Sequence, residues 1–225
     1  MADRPSVLVF DVNETLLDID ALEPHFERLF GDRSVVREWY NQLVMYSMAV
    51  TLSENYVDFF TLGQAVLRML GDIRRIPVTD GDLDDFADGM RTMPAHPDVA
   101  DGLAALRAQG FRLVTLTNSP TGSGAPTPLD NAGVAEFFEK QFSVDAWRVF
   151  KPAPHLYTGV AEALGVAPSQ CMMVAAHPWD IMGAQSAGFG AALITRPGNA
   201  PLPASGVPAP DVMAADLSEL AERLS

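Results

Sequence analysis

The stretch VLVFDVNETL, residues 7–16, decides how this 225-residue chain is read. Val7–Phe10 is a short, unbroken apolar run that ends in the polar cluster Asp11-Val12-Asn13-Glu14-Thr15. A strand buried on both faces of a parallel sheet needs such a run, and the polar residues after it form the loop at its carboxyl end. The pattern recurs three times. Arg112–Leu116 leads into Thr117-Asn118-Ser119-Pro120, Met172–Ala175 into Ala176-His177-Pro178-Trp179-Asp180, and Ala191–Thr195 into Arg196-Pro197-Gly198. Helical periodicity fills Val99–Gln109 and Leu156–Leu164, which stop at Gly110 and Gly165, residue types suited to closing a helix. This alternation predicts an α/β fold with a doubly wound, Rossmann-like parallel sheet. Ligands of such sheets bind beyond the carboxyl ends of the strands, so the polar clusters should share one crevice.

Residues 18–94 break the alternation and read as helical throughout, over His25–Phe30, Val35–Leu52, Tyr56–Leu70 and Leu83–Met90. A run of helices inserted after the first strand predicts a helical cap (18–94) over a core made of 1–17 and 95–225. Within the cap, LVMYSMAVTL is apolar almost all round, and is either a buried helix or an apolar wall of the cleft. Pro120–Pro128 reads as a plain flexible loop, and the five prolines of Pro197–Pro210 as an extended connector before a last helix, Ala214–Leu224.

The formal charge of −14 disfavours nucleic acid, whose phosphates need a cationic surface. The same field repels small anions, so an anionic substrate must be caught by locally placed Lys or Arg. The single cysteine, Cys171, excludes a disulfide within the chain and sits in an apolar run, as a buried inert thiol does. VLVF is far shorter than a signal peptide or a membrane span, so a cytoplasmic protein without a membrane partner is expected.

Each polar cluster alone is ambiguous. Asp11 follows an apolar strand, where a carboxylate is costly without a purpose, yet it could simply cap a turn. Thr117 and Asn118 offer hydrogen bonds to a carboxylate or an anion, but such residues also favour turns. Lys151 in VFKP is either a surface lysine or a cation placed at the crevice. His177, Trp179 and Asp180 bring an imidazole, an indole N–H and a carboxylate within one turn.

Taken in order, D-x-N-x-T-L, L-T-N-S, K-P and a late Trp-Asp pair resemble the haloacid dehalogenase superfamily over essentially the whole chain, with the inserted helices matching its cap. Position 13 bears on the reaction. Phosphatases of the superfamily carry a second aspartate there to protonate the leaving alkoxide, whereas Asn13 has no proton to exchange near neutral pH. Halide leaves without protonation. The last motif also has Ala175 and Ala176 where Mg²⁺ ligands would be expected, so no metal or other cofactor is implied. Within the superfamily the chain is most similar to the type II L-2-haloacid dehalogenases.

That resemblance implies a small 2-haloacid substrate and a covalent mechanism. Asp11 attacks the halogen-bearing carbon, and water hydrolyses the resulting ester. Lys151 orients Asp11 and the substrate carboxylate. Thr15, Thr117 and Asn118 match polar positions that contact carboxylate or halide. Trp179 matches a halide-facing indole. Tyr157 stands where the family has a tyrosine near the nucleophile, unless it is a core aromatic. Asp180 completes the catalytic set, and a homodimer is common in such proteins.

Two positions depart from the pattern. His177 replaces an asparagine that positions water, and with Asp180 three residues away it is either the general base or a structural imidazole. The cap arginine that meets the halide falls at Trp39, with Arg37 two residues earlier on a different part of the helix, so either Arg37 reaches in or another cap residue serves. A Mg²⁺-dependent phosphatase and a non-catalytic metabolite-binding member are the competing readings.

Overall fold

The computed structural model describes residues 4–121, 124 and 126–225. In chain order the elements are β1 (Val7–Phe10), α1 (Glu23–Phe30), α2 (Val35–Leu52), α3 (Phe59–Arg74), α4 (Asp80–Arg91), α5 (Val99–Ala108), β2 (Arg112–Thr117), α6 (Pro128–Asn131), β3 (Lys140–Ser143), α7 (Pro154–Leu164), β4 (Cys171–Ala175), α8 (Pro178–Ser186), β5 (Gly190–Ile194), β6 (Val212–Ala214) and α9 (Leu217–Arg223). The strands form one sheet in the order β3-β2-β1-β4-β5-β6, and every pair is parallel. The expected doubly wound architecture is therefore present. Strand β1 is central, with Phe10 level with Thr115 on one side and Val174 on the other. The chain winds first to β2 and β3 and then to β4, β5 and β6, so its direction reverses between β1 and β4. That switch point opens a crevice at the carboxyl ends, directly beyond Phe10 and Ala175.

Residues in β1 and β4 are buried without exception, which is why both read as continuous apolar runs. The sequence reading missed β3 (KQFS) and β6 (VMA), the two edge strands. An edge strand is covered on fewer sides and tolerates exposed polar residues, so it leaves no apolar signature. The expected final helix absorbed the end of β6. It starts instead at Leu217, where the Asp216 carboxylate accepts from the Glu219 N–H. Of the expected loop Pro120–Pro128, residues 122, 123 and 125 lie outside the described residues, and Pro128 already begins α6, behind a Thr127–Asp130 capping box.

Helices α1 to α4 pack on one another away from the sheet. The chain enters and leaves this helical segment through two neighbouring stretches joined by an isolated antiparallel bridge: the Asp18 N–H donates to the Pro94 carbonyl at 2.8 Å and the His96 N–H to the Leu16 carbonyl at 2.9 Å. Trp39, fully buried, fills the centre of the segment beside Phe26 and Phe86 and donates its indole N–H to the Gly63 carbonyl at 2.9 Å. The apolar stretch of α2 is divided by face. Leu43 and Ser47 are buried, Val44 lines the cleft, and Met45 and Leu52 are exposed. Among the described residues no helix is long and apolar enough to cross a membrane.

Candidate active site

The loop after β1 places the Asp11 carboxylate at the switch point, where its backbone N–H extends the β1–β4 ladder to the Val174 carbonyl. Lys151 comes from the loop before α7 and is completely buried. Its ammonium spends all three protons, on Asp11 Oδ1 at 2.6 Å, Asp180 Oδ2 at 2.6 Å and the Leu116 carbonyl at 3.0 Å. Asp180, in the first turn of α8, receives the Tyr157 hydroxyl on its other oxygen at 2.6 Å. Thr15 donates to Asp11 Oδ2 at 2.8 Å and accepts the Ala176 N–H at 2.9 Å, tying the first and last motifs together.

Two carboxylates thus share one cation, and they respond differently. Burial pushes both upward. At Asp11, Lys151 together with the hydrogen bond and charge of His177 overcomes that penalty and holds the carboxyl well below the usual carboxylate range. At Asp180, burial and the neighbouring Asp11 charge outweigh Lys151 and Tyr157, so its carboxyl is raised. Burial would lower the Lys151 ammonium, but the two carboxylates raise it, so it stays charged. Burial and the Asp180 charge push the Tyr157 phenol well up, so it remains a donor. Cys171 is pushed up by burial to about 11, as befits an inert thiol.

The other polar residues tie the loops together. Lys151 N–H donates to Asn118 Oδ1 at 3.2 Å, and Thr117 Oγ1 accepts the Ser119 N–H at 3.1 Å. Asn13 donates to Ser119 Oγ at 3.3 Å. Tyr157 is fully buried behind Asp180, as a core aromatic with a polar tip.

The structure corrects the partners of His177 and places Arg37 at the cleft. The expected partner Asp180 faces Lys151 and Tyr157. The His177 ring lies instead between Asp11 and Glu14, with Nδ1 3.2 Å from Asp11 Oδ2 and Nε2 2.6 Å from Glu14 Oε2. It stacks on Trp179 at 4.9 Å between centroids, and Tyr40 covers it at 5.7 Å. Of the two alternatives open for the cap, Arg37 is the residue that reaches the cleft, where it pairs with Glu14 Oε1 and with Asp20 Oδ1 at 2.7 Å. Trp39, at the position where the resemblance leads one to expect an arginine, is turned into the cap interior.

Glu14 and Arg196 had no assigned role in the sequence. Glu14 is buried with a left-handed backbone (φ 64°), a conformation that costs a non-glycine residue about 1–2 kcal/mol. Arg196 clamps the nucleophile loop, donating twice to the Thr15 carbonyl (3.1 and 3.0 Å) and pairing with Asp98 at 2.6 Å. Neither was legible, since their partners are brought together only by folding. Glu14, Arg37, Tyr40, Val44, His177 and Trp179 line a cleft of about 370 Å³, suited to a molecule of a few heavy atoms.

Comparison with known proteins gives the family. The family model for haloacid dehalogenase-like hydrolases matches residues 5–188. The chain is 32% identical to a (S)-2-haloacid dehalogenase of Xanthobacter autotrophicus, over 84% of this chain and 74% of the relative. It is 29% identical to haloacetate dehalogenase H-2 of Moraxella sp. (strain B), over 85% and 86%. The solved structure of the L-2-haloacid dehalogenase from Xanthobacter autotrophicus with chloropropionic acid covalently bound superimposes with a TM-score of 0.85 at 26% identity, covering 97% of each chain. With Asp11 beyond a central parallel strand, Lys151 and Asp180 joined to it, and this match over most of its length, the chain belongs to the haloacid dehalogenase-like hydrolases.

Proposed function

We propose that the protein hydrolyses the carbon–halogen bond of a small 2-haloalkanoic acid, with Asp11 as nucleophile. One observation carries the reading. A carboxylate held anionic by a buried lysine lies at the switch point, beside the cleft-lining His177, while the place of the leaving-group acid is taken by Asn13, whose amide is bonded to Ser119. Such a site can displace a group that leaves as an anion, and it lacks the proton donor that an alkoxide needs. An Asp11 oxygen forms a bond to C2, the carbon–halogen bond breaks with inversion, and halide departs with the electron pair. Water, deprotonated by His177, then adds to the Asp11 carbonyl carbon. The acyl–oxygen bond breaks, and the 2-hydroxy acid leaves.

Lys151 and Thr15 hold the Asp11 carboxylate for in-line attack. The Trp179 indole and Asn118 are the candidate halide and carboxylate contacts. Arg37 is a weaker candidate, because its charge is already shared between Glu14 and Asp20. A Mg²⁺-dependent phosphatase fits poorly, since Ala175 and Ala176 stand at the end of β4 where further oxygen ligands would be needed. The relatives' names supply the substrate class: (S)-2-haloacids for one and haloacetate for another.

The test is halide release from L- and D-2-chloropropionate, chloroacetate and fluoroacetate without added metal, with Mg²⁺ and a phosphate ester as the contrast. D11N should abolish release, and near-normal turnover of D11N would refute the covalent route. H177N should slow ester hydrolysis, so that mass spectrometry finds the substrate's acid added to Asp11.

A further inference from the structure

Tyr40 is a buried phenol with no part in the reaction above. It comes from α2, lines the cleft and lies over the His177 ring at 5.7 Å between centroids, with 4% of its surface exposed. Its hydroxyl has no hydrogen-bond partner among the described residues. The unpartnered side-chain atoms there that are fully enclosed are Thr115 Oγ1 and Gln185 Oε1, so the Tyr40 oxygen, which is not one of them, keeps its open side to the cleft. A buried hydroxyl is costly to leave unpaired, and in the cleft a ligand can pair it. Burial, followed by the Asp11 and Asp180 charges, pushes the phenol well up, so it remains a donor.

The direction of the reaction decides which ligand atom it meets. The strand ends supply Asp11, 3.2 Å from the Nδ1 of the cleft-lining His177, and the cap supplies another wall through Arg37, Tyr40, Asn41 and Val44 of α2. In-line displacement puts the attacking oxygen, C2 and the halogen on one line, with the halogen on the side of C2 away from Asp11. The halogen therefore points from the strand ends towards α2. Of the α2 residues there, Arg37 is engaged by Glu14 and Asp20, Asn41 is exposed, and Val44 offers no donor. We propose that the Tyr40 hydroxyl is the cap's contact with the leaving group: it donates to the halogen as the carbon–halogen bond breaks, and so sets how steeply the rate depends on which halogen leaves. This inference rests on the reading of Asp11 as a nucleophile that is alkylated.

No proton is transferred in this step, because hydrogen halides are far stronger acids than a phenol. The Asp11 oxygen bonds to C2, the bonding pair leaves with the halogen, and halide departs holding only the hydrogen bond. That bond is weak to a halogen still on carbon and strong to a halide ion. It therefore stabilises the transition state more than the bound substrate. Acceptor strength falls from fluoride through chloride to bromide as the same charge spreads over a larger ion. The donor thus counts most for the halogens that leave least readily.

Y40F deletes the oxygen and keeps the ring over His177. It loses no hydrogen bond within the protein, so it should melt with the wild type. Rapid-quench single turnovers with chloroacetate and bromoacetate read formation and hydrolysis of the Asp11 adduct separately. Y40F should form the adduct on the order of tenfold more slowly with chloroacetate, but within about threefold of wild type with bromoacetate. Hydrolysis follows halide departure and should change by less than about threefold. Inhibition by added chloride should also weaken in Y40F, and more than inhibition by bromide. An equal loss with both acids, or none, overturns the assignment, as does a raised KM with unchanged adduct formation at saturation, which would place the hydroxyl on the substrate carboxylate. A wild type that forms no adduct with either acid refutes the alkylation of Asp11 itself, and the role of Tyr40 with it.

Discussion

Replacing Lys151 by methionine keeps most of the stem volume and removes the charge that two buried carboxylates share. With both Nζ bonds at 2.6 Å, the Asp11 and Asp180 oxygens are at most about 5 Å apart. At an effective dielectric of about 20 their repulsion is about 3 kcal/mol. Removing one partner of a buried ion pair costs about 3–5 kcal/mol in all, against a total stability of about 5–15 kcal/mol. The cost must also depend on pH. In the native protein Asp11 titrates below its unfolded value, so its contribution is present at neutral pH and is lost as pH falls through the folded value. In K151M the crowded carboxylates titrate above theirs, so their contribution is intact in acid and is lost as pH rises. Urea unfolding of both proteins at pH 5 and pH 8 reads the difference, which should be about 3–5 kcal/mol at the higher pH and about half that at the lower. Adding D11N to K151M removes the repulsion and should restore about 1–3 kcal/mol at pH 8. A destabilisation equal at both pH values, or below about 1 kcal/mol, would refute the picture of two carboxylates balanced on one lysine.

W39F removes the hydrogen bond to Gly63 inside the cap and should lower stability by about 1 kcal/mol with kcat for halide release unchanged. A kcat reduced to a few per cent of wild type would instead place Trp39 at the reaction. Y157F withdraws a donor from the Asp180 carboxylate and should cost about 1.5–3 kcal/mol of stability. Because that hydroxyl is buried behind Asp180, kcat should fall with KM steady, and a raised KM at constant kcat would show that it touches substrate.

Four of the six strands were legible because strands buried on both faces require unbroken apolar runs, and the polar residues that follow them have to lie at one sheet edge. That logic puts Asp11, Thr15, His177 and Asp180 at the carboxyl ends of β1 and β4, whereas Lys151, in the loop before α7, follows no predicted strand and stays open between surface and crevice until the resemblance is added. The edge strands β3 and β6 escaped it, since partial exposure removes the apolar constraint. Helical periodicity could not tell which of Arg37 and Trp39 faces the cleft, because the wide apolar surface of α2 gives no sharp inward face. The pairing of Glu14 with His177 spans 163 residues and depends on a left-handed backbone at position 14. Local pattern records what a segment needs to bury. Which distant charges meet once it is buried is decided by the packing of β1 against β4, and that is where the chemistry of His177 is set.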